Sequence, residues 1–148
     1  MTLDDLVSFG TILGVIIALI TLLYMAYQIK LTRDIACGQF WLELEKMFKE
    51  HDEVHIKLRP GGDWCFTNKG PSTNIDWVQV EDYLGLFEHC KIMLDKGLID
   101  WTTFKKIFGY RINNIMCNQK IVDRKLKSQE GEEWTDFIEL ANKLKTVK

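Results

Sequence analysis

"GTILGVIIALITLLYMAYQ", residues 10–28, decides the fold. It lies inside an uncharged run between Asp5 and Lys30, residues 6–29, 24 residues in all. At about 1.5 Å of rise per residue this is about 36 Å of helix, more than the hydrocarbon core of about 30 Å. A cleaved secretion signal has a basic start, a shorter apolar stretch and a small-x-small exit. Here Asp4 and Asp5 come first, the run is too long, and the exit reads Tyr24-Met25-Ala26-Tyr27-Gln28. A soluble core helix rarely exceeds about 20 residues without a charge. The run reads as a retained transmembrane helix, residues 1–29 forming the anchor.

Its flanks set an orientation. Nothing before the span is basic, whereas Lys30, Arg33, Lys46 and Lys49 follow it. The positive-inside bias then places the N-terminus outside and the rest of the chain in the cytoplasm. Tyr24 and Tyr27 stand at the inner end, where aromatic rings favour the interface.

At 100° per residue, Gly10, Thr11, Gly14, Ala18, Thr21, Met25 and Gln28 fall in one arc about 100° wide. Most of the remaining circumference is Leu, Ile, Val and Tyr. Lipid gains nothing from a small, hydroxyl-bearing face; a neighbouring helix or a water-filled passage does. Gly10 and Gly14 make a G-x-x-x-G pair that Ala18 extends by a turn, so a homo-oligomer or pore face is expected there.

Residues 30–148, 119 in number, carry all 19 basic residues and 19 of the 21 acidic ones. This balance gives no general electrostatic footprint for nucleic acid. Cys37, Cys65, Cys90 and Cys117 are widely spaced without a C-x-x-C pair, as expected of reduced thiols in a cytoplasmic domain. The one long break, residues 59–74, holds both prolines and three glycines.

Before that break, residues 30–58 read as a stalk helix continuing the anchor, with Ile35, Phe40, Leu44, Met47 and Phe48 apolar. After it, residues 75–148 read as a helical bundle. Val78, Tyr83, Leu84, Phe87, Cys90 and Leu94 keep helical spacing up to a stop at Gly97. Asp100 caps the next helix, whose stripe runs through Phe104, Ile107, Phe108, Ile112, Ile115, Met116 and Val122. A last helix carries Trp134, Phe137, Ile138, Ala141 and Leu144. The expected fold is all-α, a transmembrane helix continuing into a cytoplasmic helical bundle.

Catalytic chemistry finds little purchase. "HDEVH" puts His51 and His55 four apart, with Asp52 where a zinc protease has its Glu. Asp is short for that role and no third ligand stands at a recognised spacing, so neither a metal nor another cofactor is expected. Ser72 and Ser128 lack a neighbouring His, and "RPGGDW" lacks the Lys of a phosphate loop. Arg111, Asn114 and Asn118 interrupt an apolar stripe, and Glu88 on the preceding acidic helix is the expected carboxylate for Arg111. Seven basic residues stand between Lys105 and Lys127 against Asp123 alone. Such a strip either solvates one face and pairs with acidic neighbouring helices, or contacts RNA or phospholipid headgroups.

"VEDYLGLFEHCKIMLDKGLIDWTTFKKIFGYRINNIMCNQKIV", the "YQI" exit of the span and the closing "EEWTDFIELANKL" resemble a family of small, single-span bacterial membrane proteins of largely unassigned function. Among these the chain is similar to the membrane accessory proteins of type VI-B CRISPR systems. Phe87-Glu88, Lys96 to Asp100, Phe108-Gly109 and Trp134 carry the likeness. The resemblance implies a divergent HEPN-like helical domain, assembly into a membrane pore, and antiviral defence alongside an RNA-guided nuclease. HEPN ribonucleases set four to six residues between their Arg and a His; here Met116, Cys117 and Asn118 stand at the matching positions, and all three histidines precede Arg111. The expectation is a non-enzymatic oligomeric effector without catalytic residues; the alternative is a membrane-tethered RNA-binding or RNA-cleaving module.

Overall fold

The computed structural model describes residues 3–65, 69–127 and 133–146 and contains no strand among them. The helices are α1 (Leu3–Glu50), α2 (Asp52–Leu58), α3 (Asn74–Asp95), α4 (Trp101–Cys117), a single turn α5 (Gln119–Ile121) and α6 (Thr135–Thr146). A π-helical turn, Val122–Leu126, follows α5 directly. The all-α expectation holds.

Residues 1–39 and 40–148 form two separately compact units. The first holds the part of α1 up to Gln39, and α1 is long and apolar enough to cross a membrane. Every large apolar side chain described there is exposed, Phe9 to 66% and Leu23 to 73%.

The second unit builds one core. Leu44 and Phe48 of α1, Val54 and Leu58 of α2 and Trp64 of the following turn are buried with the apolar faces of α3, α4 and α6. The compact unit therefore takes in residues 40–58, the larger part of the expected stalk. Phe48 is the hub: its ring lies 4.3 Å from Phe108, 4.9 Å from Phe87 and 5.9 Å from Tyr83 between centroids. Aromatic side chains of this size dominate the apolar area a small core can bury.

Helix boundaries follow local chemistry, with one departure from expectation. Residues 30–58 are not one helix: α1 stops at Glu50, and His51 (φ −105°, ψ 21°) precedes a new helix. Asp52 and Glu53 occupy the first turn of that helix, where carboxylates favour the positive end of its dipole. The Thr73 hydroxyl accepts from the Asp76 N–H and the Asp76 carboxylate accepts from the Thr73 N–H, a reciprocal cap that starts α3. Gly97, at φ +64°, ends α3 as expected, and the Leu98 N–H reaches back to the Met93 carbonyl at 2.9 Å. Asp100 caps α4 by accepting from the Thr103 N–H at 2.7 Å. Val78 and Ile107, expected on apolar stripes, are 54% and 43% exposed.

Candidate functional site

Two places concentrate the residues that the sequence singles out. The first is the one-sided face of α1. Gly10, Thr11, Gly14, Ala18, Thr21, Met25 and Gln28 are all exposed. A Cβ added at Gly10 or Gly14 meets nothing, so the small surface is open. The hydroxyls of Thr11 and Thr21 donate to the Val7 and Ile17 carbonyls at 2.9 and 2.8 Å, one turn back. The Gln28 amide donates to the Tyr24 hydroxyl at 2.8 Å. These donors are satisfied within the helix, which removes most of their cost in an apolar medium. The property that sets the face apart is its low relief rather than unmet polarity.

The second place is a polar cluster built on Arg111. Its Nη1 donates to Asp52 Oδ1 at 3.1 Å and to the buried Tyr83 hydroxyl at 3.4 Å, and Nε donates to the Tyr110 hydroxyl at 3.2 Å. The guanidinium also sits 5.4 Å from the centroid of the Phe48 ring. Burial opposes its charge, but the bonds to Tyr83 and Tyr110 outweigh that and raise its pKa. Burial likewise pushes the Tyr83 phenol up to about 12. Arg111 and Asp52 face a cavity of about 520 Å³ whose apolar wall includes Trp41, Phe48 and Phe108.

Glu88 is not the partner of Arg111. Its carboxylate instead accepts from the Phe137 N–H at 2.6 Å, capping the first turn of α6 from a neighbouring helix. Desolvation raises its pKa against that bond, helped by the nearby Asp136 charge. The sequence expectation failed because it took residues 30–58 as one straight helix. The break at His51 starts α2, and α2 packs against α4, which brings Asp52 to Arg111.

The same break separates the two histidines. His51 stands before the first residue of α2, while His55 lies inside it and packs edge-on against Tyr110 at 5.4 Å between centroids. Burial first, then the charge of Arg111, lowers the pKa of His55, whose Nδ1 is buried without a hydrogen-bond partner. No group of three His, Cys, Asp or Glu side chains placed to hold a metal occurs among the described residues.

Asn118 and Asn114 do different work from Arg111. Asn118 is 1% exposed. Its amide donates to the carbonyls of Trp64 at 2.7 Å and Lys69 at 2.9 Å, and its oxygen accepts from the Ile121 N–H at 3.1 Å. One side chain thus caps α5 and ties the loop after α2 to the end of α4. Asn114 lines a second cavity, of about 380 Å³, with Leu58, Cys65 and Cys117 among its walls.

The basic strip is largely committed. Lys125 is buried and pairs with Glu81 of α3 at 2.6 Å, and Lys127 pairs with Asp123 at 3.0 Å. The Arg124 guanidinium lies 4.2 Å over the Trp77 ring. Of these, only the Lys125 pair reaches the preceding acidic helix, whereas Lys127 and Asp123 pair within their own turn. No protein-family model, curated protein or solved structure matches the chain.

Proposed function

We propose that this protein is a single-span membrane effector that works as a homo-oligomer, its α1 helices meeting through the Gly10, Gly14 and Ala18 face around a common axis. The observation that carries the reading is the complete exposure of the apolar window of α1. Leaving a large aliphatic or aromatic side chain in water forgoes about 1.5–3 kcal/mol, and more than a dozen such side chains lie between Val7 and Ile29. A bilayer covers them, and the small stripe then lets like helices approach closely. The basic residues after the span support a cytoplasmic second unit.

The resemblance supplies the remainder of the proposal. The oligomer is a pore, its helical domain is HEPN-like without catalysis, and it serves antiviral defence beside an RNA-guided nuclease. RNA contact through the Arg111 strip is the weaker reading, because Arg111, Lys125 and Lys127 are held by Asp52, Glu81 and Asp123.

Membrane potential in cells producing the protein under phage challenge, together with particle mass in detergent, tests this. The wild type is expected to depolarise the membrane as a multimer, and Gly14→Leu with Ala18→Leu to abolish both, whereas Leu23→Ala changes neither. A monomeric particle, or a double-Leu variant that depolarises normally, refutes the proposal.

A further inference from the structure

Two of the four thiols share one cavity. Cys65, half-buried in the turn after α2, and Cys117, exposed at the last residue of α4, both line the pocket of about 380 Å³ beside Leu58, Pro60 and Asn114. Each thiol is one residue away from a hydrogen bond that already joins the two segments, the 2.7 Å bond from the Asn118 amide to the Trp64 carbonyl.

Both supports are held by short-range geometry. In the turn, the Trp64 N–H donates to the Lys57 carbonyl at 2.8 Å, the Gly62 N–H to Arg59 at 2.8 Å and the Cys65 N–H to Gly62 at 3.1 Å. A Cβ at Gly62 would collide with the Ile56 carbonyl, so the turn closes tightly on α2. Trp64 is buried beneath Lys57, whose ammonium lies 4.5 Å from the ring centroid. On the other side, Asn118 ends α4 immediately after Cys117 and is itself buried. Two thiols on fixed supports around one solvent-open space have little freedom to lose on joining, which favours an intramolecular bond over separate adducts.

We propose that Cys65 and Cys117 form a reversible redox pair, closed by low-molecular-weight disulfides and opened by thiols. Cys117, the more exposed, attacks a sulfur of the small disulfide as its thiolate; the S–S bond breaks, a mixed disulfide forms and one small thiolate leaves. The Cys65 thiolate then attacks the Cys117 sulfur, forming the protein disulfide and releasing the second small thiolate. Two protein thiols are oxidised, one small disulfide is reduced to two thiols, and the two thiol protons pass to solvent and the departing thiolates. The bond fastens the turn after α2 to the end of α4 across the contact that Asn118 makes. Cys90 takes no part: it is fully buried, and burial pushes its thiol up to about 12.

Trypsin separates the two cysteines, because cleavage after Lys57, Lys69, Arg111 and Lys120 leaves Cys65 in residues 58–69 and Cys117 in residues 112–120. The full chain in detergent is equilibrated with oxidised and reduced glutathione, alkylated, digested and read by mass. The expected product is the disulfide-linked pair of these peptides, lost on reduction and absent from Cys65→Ser and Cys117→Ser. In each of those variants the remaining cysteine carries glutathione instead. Separate glutathione on both cysteines of the wild type, unreacted thiols at both, or a dominant bond through Cys37 or Cys90 overturns the proposal.

Discussion

Replacing Asn118 with Ala removes three hydrogen bonds through one side chain, and their environments set the cost. The Trp64 carbonyl and the Ile121 N–H are bonded in buried surroundings, whereas the Lys69 carbonyl is bonded in a partly buried one. A buried polar group left without a partner costs about 1–3 kcal/mol, and a group that water can reach costs little. Two orphaned groups at the lower half of that range give about 2–4 kcal/mol. At about 4 °C per kcal/mol for a domain near 100 residues, the melting temperature falls by about 8–16 °C. Thermal unfolding of the full chain in detergent, followed by tryptophan fluorescence, measures it, since Trp64 is buried in the affected turn. Asn118→Asp keeps an acceptor for Ile121 but loses both donors and buries a charge, so it is expected to be at least as damaging. A melting temperature for Asn118→Ala within about 2 °C of wild type (about 0.5 kcal/mol) refutes the claim that this side chain ties the loop to α4.

Arg111→Met is expected to cost about 1–2 kcal/mol, because the Tyr83 hydroxyl loses its partner while half-exposed Asp52 rehydrates. A double-mutant cycle should show coupling of Arg111→Met with Asp52→Asn and none with Glu88→Gln; coupling to Glu88 alone would contradict the observed pairing. The raised folded pKa of Glu88 means that its stabilising contribution is present below its ordinary value of 4.5 and lost as pH rises through the folded value. Glu88→Gln, which still accepts from Phe137, should therefore melt at or above wild type at pH 7, and the gain should vanish as pH falls through about 4.5. A variant that melts below wild type at pH 7 and regains parity in acid contradicts that sign. Thr73→Ala removes half of the α3 cap and should cost about 1 kcal/mol in urea unfolding; an unchanged midpoint would argue against the cap.

Sequence periodicity carried most of the fold because its strongest signals are local. The uncharged run, the Gly97 stop, the Asp100 cap and the Phe137, Ala141 and Leu144 stripe each depend on residues within a few turns of one another. The helix break at His51 carries no Pro or Gly, and without it Asp52 has no route to Arg111. Glu88 was misassigned for a related reason: an acidic residue on the preceding helix announces its charge but not which neighbour it faces. Asn118 was recognisable as polar on an apolar stripe, yet its partners are carbonyls 54 and 49 residues away. Backbone acceptors leave no mark in composition. The small face of α1 was legible in full as a pattern, while the internal bonds of Thr11 and Thr21 emerged only from the structure.

Disulfide cross-linking within native membranes tests the central claim most directly. In a chain carrying Cys37→Ser, Cys65→Ser and Cys117→Ser, which leaves only the buried Cys90, one cysteine at a time is added at positions 10 to 28 and oxidised in place. The account predicts dimer yields that peak at Gly10, Gly14, Ala18 and Thr21 and fall to background at Ile16 and Leu23, a period near 3.6 residues. Uniform yields around the helix, or none at the small-residue positions, would contradict a membrane homo-oligomer assembled through that face.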